Sequence, residues 1–180
     1  MRRHLFFAPS APGEEAISMP LRFEADKVGL FPPPTAALLD EAIRLLNQNF
    51  FSDGFRTKVQ AASLWGTLGL TPKEVYDHLA TPNASDNRIV LRLSVYPNDA
   101  GGGEVGVTST DRNGRQLTST YQQYIETNGA KCYAAHLAHE YCHWQGFRHP
   151  KYQVFGRHKA HSVPYMVGDL FAEYVGADCP

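Results

Sequence analysis

Apolar and polar residues alternate from Met19 to Val28, with Leu21, Phe23 and Ala25 set against Arg22, Glu24 and Asp26. A period of two marks a half-buried strand. Phe31-Pro32-Pro33-Pro34 breaks it, and Thr35 is the expected N-cap of the next element. Leu38, Leu39, Ala42, Leu45, Leu46 and Asn49 then recur at helical spacing, which predicts an amphipathic helix of about four turns. Phe55 to Trp65 is ambiguous between strand and helix. Thr71-Pro72-Lys73-Glu74 reads as an N-cap with proline at the first helical position, opening a short helix towards Leu79.

The alternation is clearest from Arg88 to Tyr96, where Ile89, Leu91, Leu93 and Val95 share one face of a strand. Pro97 to Gly103 reads as a loop, and its glycines lack the following helix and lysine of a phosphate-binding turn. Glu104 to Thr110 and Gln116 to Tyr124 read as strand-like runs around the turn Asp111-Arg112-Asn113-Gly114. Thr127-Asn128-Gly129 is placed to cap a long helix from Ala130 to Gln145. An irregular stretch follows, then a final apolar helix near Met166 to Gly176. Strand, helix, several strands, helix, loop and helix in that order predict an α/β (α+β) fold built of packed layers.

Residues 1–18 read as an irregular arm before a single domain over 19–180. Met1-Arg2-Arg3 has the positive flank of an export signal, but Pro9 interrupts the apolar part that follows. No run approaches ~18 consecutive apolar residues, so no membrane span is expected. At 180 residues, 43% hydrophobic and 19% charged, the chain has the composition of one globular domain. A net charge of −1 offers no electrostatic footprint for nucleic acid. Three cysteines cannot all pair within the chain and form no disulfide framework. The histidines stand out: four of the eight lie at 136, 139, 143 and 149.

Those positions spell His139-Glu140-x-x-His143-x-x-Gly146-x-x-His149 at the end of the long helix. Residues four apart on a helix lie about 40° apart around its axis and one turn apart in height. His139 and His143 can therefore aim their imidazoles at one point. Gly146 suits the left-handed turn that ends a helix, after which the chain can return and present His149 as a third ligand. Three nitrogen ligands leave a fourth position for water, the arrangement of a catalytic zinc ion (Zn2+). Glu140 lies about 100° around the helix from His139 and is placed to contact that water, acting as the general base. The full motif has a chance expectation on the order of 10⁻⁵ in a chain of this length.

With this motif the sequence resembles the metzincin clan of zinc endopeptidases, whose signature is the same extended motif followed by a methionine-containing turn. The resemblance implies a zinc metalloendopeptidase with His139, His143 and His149 as ligands and Glu140 as base. It makes Ser162-Val163-Pro164-Tyr165-Met166 the Met-turn, with Met166 packed under the ligand cage. A peptide or protein substrate would lie antiparallel along an edge strand near Glu104 to Thr110. Family habit implies an extracellular or periplasmic location, with the cytoplasm as the alternative. Pro150, directly after the third histidine, is similar to the serralysin group. The pattern departs from the clan in two respects: Tyr165 precedes Met166 rather than following it by two residues, and residues 1–18 show no recognisable cysteine or aspartate switch.

Other residues carry competing readings. Glu173 is placed like the third ligand of gluzincins, which would leave Gly146 and His149 unexplained; a solvated surface carboxylate is its plain alternative. His136 reads first as a hydrogen-bonded packing histidine and second as a cleft residue on the His139 side of the helix. His158 and His161 read as loop histidines, with substrate contact as the alternative. Tyr152 and Tyr165 are candidate phenols for donation to a tetrahedral intermediate. Cys142 is expected as a free thiol in the core, and Cys132 with Cys179 as a pair that sequence leaves open. Two other function classes are a non-catalytic zinc-binding module and a metal-dependent endoribonuclease. A bacterial family of such ribonucleases has similar histidine spacing but a non-acidic residue where Glu140 stands.

Overall fold

A computed structural model describes residues 19–97, 105–149 and 160–180. The alternation around Phe23 forms β1 (Arg22–Lys27), and that at Ile89, Leu91 and Leu93 forms β2 (Arg88–Tyr96). Two further strands, β3 (Gly106–Thr110) and β4 (Gln116–Tyr121), complete a four-stranded mixed sheet in the order β1-β2-β4-β3. β1 and β4 run parallel to β2, and β3 is antiparallel to β4. The parallel pairing of β1 with β2 needs a long crossover, and the segment 28–87 supplies it with helices, whereas β3 lies on the connection between β2 and β4.

Those helices are α1 (Pro33–Asn49), α2 (Asp53–Ala61), α3 (Pro72–Leu79), α4 (Gln122–Trp144) and α5 (Val163–Tyr174). The fold is thus mixed α/β, as the element order predicts. α1 buries Leu39, Ala42, Leu45 and Leu46, the expected apolar stripe. Its N-cap is Pro32, however, and Thr35 lies inside the helix. Pro33 and Pro34 have no N–H for a cap to satisfy and are preset for helical φ, so the helix starts without a side-chain cap. Thr35 instead donates from its buried hydroxyl to Glu126 at 2.6 Å. The ambiguous 55–65 stretch divides: its first part is helix α2, and Trp65 pairs through its backbone with His161 and Val163. Thr71 and Glu74 form the reciprocal capping box at the head of α3.

The expected strand 116–124 stops at Tyr121, and α4 begins directly after it. Gln122 donating to Glu126 at 2.9 Å, an i,i+4 pair, supports this first helical stretch. At Gly129 the backbone turns to φ 75°, a left-handed value that glycine tolerates, and the helical path resumes at Ala130 where the long helix was expected. In this second stretch residues 132–138 are all buried, as are Glu140, Tyr141 and Cys142, because α4 packs against α1, α5 and the sheet. Tyr141 enters an aromatic core with Phe23 and Phe50, its ring 5.2 Å from that of Phe23, and donates to the Leu79 carbonyl at 2.9 Å. The final helix begins at Val163, three residues before the expected Met166, because Pro164 is preset for helical φ in its first turn. Cys132 and Cys179 form a disulfide that ties the end of the chain to α4, and Cys142 is a buried free thiol.

Candidate metal centre

The site grows out of the way α4 ends. The Gly146 N–H donates to the His143 carbonyl at 3.0 Å, and the Phe147 N–H donates to the Cys142 carbonyl at 3.0 Å. Gly146 has φ 91°. This is a Schellman turn, with glycine at its left-handed position and Phe147 buried against the helix end. It has a chemical consequence. The turn brings the Phe147 carbonyl to 2.8 Å from Nδ1 of His143. A carbonyl only accepts, so Nδ1 carries the hydrogen and Nε2 keeps its lone pair for a metal.

His149 follows two residues after Phe147 and returns towards the helix. Its Nε2 lies 3.2 Å from Nε2 of His143, and its Nδ1 lies 2.9 Å from the Ser162 hydroxyl. The ring centroids of His139 stand 5.2 Å from His143 and 5.1 Å from His149. One nitrogen from each of the three lies within 4.8 Å of the others, the arrangement of a three-histidine site for a metal ion. Two nitrogens bonded tetrahedrally to zinc at ~2.05 Å would be about 3.3 Å apart, so the His143–His149 separation matches such an ion. The sequence-expected ligands are thus brought together. Glu173 is not: it is exposed on α5, accepting from Lys58 of α2 at 2.7 Å.

Glu140 points into the same cleft and is only 6% exposed. The cleft encloses about 800 Å³ and runs between β3 and α4, with α5 on its far wall. Gly106, Val107, Thr108 and Thr110 of β3 line it. The Tyr121 N–H donates to Val105 at 3.1 Å, and antiparallel pairing alternates, so Gly106, Thr108 and Thr110 turn their main-chain groups to the open edge. A hydroxyl pair, Thr108 with Thr118 at 2.6 Å, and the Trp144 indole donating to Thr118 at 2.9 Å fasten this edge to α4.

Helix α5 supplies the floor. Ser162 is its N-cap residue but makes no capping hydrogen bond; its buried hydroxyl faces His149 instead. Tyr165 sets its ring 4.7 Å from His139 and 4.6 Å from His149. Met166 lies one residue further on, half-buried in the first turn of α5, so the expected Met-turn segment is here the start of a helix. At Gly168 α5 approaches α4 closely beside the site. A Cβ there would stand 3.1 Å from Cβ of His139 and 3.3 Å from the Ala135 carbonyl.

The fold also places the other candidate residues. His136 is buried and lines the cleft beside Glu140, but the hydrogen bond expected of a packing histidine is missing at its Nε2 among the described residues. Burial pushes the Cys142 thiol pKa up, as suits an inert core cysteine, and its Sγ lies 3.3 Å from the Ala138 carbonyl. His161 is exposed and holds Trp65 through its backbone carbonyl. Tyr152, His158, Pro150, Glu104, Gly101 to Gly103 and the 1–18 arm lie outside the described residues. The role of Ser162 towards His149 had no sequence signal, because the two are joined only by the fold. That of Phe147 was implicit in Gly146: a helix-ending glycine places the next carbonyl over the last turn. No family model matches the chain, and no curated protein or solved structure matches it either.

Proposed function

We propose that the protein is a zinc-dependent metalloendopeptidase of metzincin type, with His139, His143 and His149 holding the ion and Glu140 as general base. One observation carries this reading: a buried carboxylate shares a cleft with three converging imidazoles. A site that only held metal for stability would have no use for that acid. Zinc bound there would polarise a scissile carbonyl and lower the pKa of the attacking water towards ~7.

The chain's own groups supply the rest. Glu140 takes the proton from the attacking water and hands it to the leaving amine. The open edge of β3 offers main-chain groups to an extended peptide, which would add to the sheet as a further strand. Tyr165, packed on His139 and His149, is placed to contact the substrate at the reacting carbonyl. The Cys132–Cys179 disulfide favours an oxidising, extracellular or periplasmic setting.

The test is a Glu140→Ala variant assayed with a peptide library beside the wild type, with bound metal measured in both. The variant should keep its fold and one zinc per chain while losing cleavage. Undiminished cleavage would sink the mechanism. RNA hydrolysis with peptides untouched would replace it with the nuclease reading. Metal-dependent folding with no hydrolysis by the wild type would leave a binding module.

A further inference from the structure

Behind Glu140 the cleft ends in a buried histidine that the mechanism above does not use. His136 lies one helical turn before Glu140 on α4, with its side chain 4% exposed. Its Nδ1 is 3.9 Å from Oε1 of Glu140. His136 Nε2 and Glu140 Oε2 are both buried without a hydrogen-bond partner among the described residues. Buried polar atoms left unpaired are costly, and those that persist in a fold call for a chemical reason.

The imidazole is held in place from three sides. The Tyr124 ring stands edge-on at 5.7 Å and the Tyr133 ring stacks at 6.4 Å. On the third side is Gly106 of the edge strand, where a Cβ would lie 2.7 Å from His136 Nε2 and 2.7 Å from the Ser119 carbonyl. Glycine at this position is what allows a histidine to stand behind the general base. Burial lowers the pKa of the imidazole against the opposing pull of the Glu140 charge, so the ring has a single N–H to place. Of its two nitrogens, Nδ1 has the carboxylate oxygen in front of it.

We propose that His136 is a positioning residue for Glu140, its Nδ1–H holding Oε1 so that Oε2 is the oxygen presented to the attacking water. The contact shortens from 3.9 Å when substrate fills the cleft, as catalytic hydrogen bonds do on going from the free to the bound enzyme. The catalytic consequence rests on the peptidase reading; the contact itself does not.

The test uses three replacements. In His136→Asn the amide nitrogen falls near the position of Nδ1, in His136→Gln near that of Nε2, and His136→Phe keeps the ring shape with neither. With zinc-loaded protein, Phe and Gln should lower kcat about 10- to 100-fold with little change in KM, the loss expected for one hydrogen bond to a charged group. Asn should recover most of that loss. In zinc-free wild type, imidazole ¹⁵N NMR should show His136 protonated on Nδ1, and Glu140→Gln should shift that signal. Protonation on Nε2, an unmoved signal in Glu140→Gln, or Asn no better than Phe among equally folded variants would overturn the proposal. A wild type that cleaves no peptide would instead overturn the peptidase reading, with the NMR measurement still deciding the His136 contact.

Discussion

The Cys132–Cys179 disulfide spans a sequence separation of 47, and the loop it closes contains the three histidines proposed as ligands and the whole of α5. Its loss should therefore act on stability and on the metal centre together. Loop closure of that length removes chain entropy from the unfolded state worth about 4 kcal/mol at 25 °C. For a chain of this size that corresponds to a fall in Tm of about 8–16 °C. The variant to make is the double replacement Cys132→Ala/Cys179→Ala, which leaves no odd thiol behind. Thermal unfolding by circular dichroism, without metal, reads the stability change. Zinc affinity of the same pair of proteins reads the local one, and it should fall because α5, untied beyond its C-terminal end, can tilt and carry Ser162 and Tyr165 at its other end from the histidines. Mass spectrometry after alkylation without reductant gives an independent check: only Cys142 is a free thiol, and its burial should protect it until the protein unfolds. A double variant melting within about 2 °C of the wild type, where the entropy estimate requires several times that, would refute the reasoning. So would alkylation of Cys132 and Cys179 in the unreduced protein.

Four further outcomes follow from the geometry. Gly168→Val should push α5 from α4 at His139, costing about 1–3 kcal/mol in urea unfolding and weakening zinc binding, whereas an unchanged metal affinity would show that the contact does not set the ligand. Ser162→Ala should lower zinc affinity about 10- to 100-fold by freeing the His149 ring, with the fold intact by circular dichroism. The Asp111 carboxylate is held at a pKa of about 2 by the Arg115 and Asn113 backbone N–H groups and by Arg92. Because the folded pKa is depressed, its contribution is full above pH ~4 and disappears as pH falls towards ~2; the stability gap between wild type and Asp111→Asn should close over that range. Acid should also release zinc, since a protonated imidazole cannot bind it and free imidazole titrates near pH ~6.5; full occupancy at pH ~4, read by metal analysis after dialysis, would rule out a three-histidine site.

Much of the secondary structure was legible from pattern alone, and the exceptions share a cause. The β2 face of Ile89, Leu91 and Leu93 and the α1 stripe appear as read, because burial on one side of an element imposes its own period. The misreadings lie at boundaries. Thr35 looks like a cap, but the two prolines before it are preset for helical φ and start the helix ahead of it. Tyr121 and Gln122 mark a change from strand to helix inside a run that reads as one polar, β-prone segment. Nothing in 116–124 alone shows where β4 loses its partners and the chain must turn to find others.

The site divides the same way. The spacing of His139, Glu140 and His143, and the reversal at Gly146, are properties of one helix and its end. They follow from 3.6 residues per turn and from the freedom of glycine at positive φ, so sequence alone determined them. Which serine faces His149, which ring lies against the cage, which cysteines join and what stands behind Glu140 depend on where α5 and β3 come to rest against α4. Those contacts link Ser162, Tyr165, Cys179 and Gly106 to residues far off in the chain. No local periodicity encodes them, and only the packing of the helices and sheet into one core decides them.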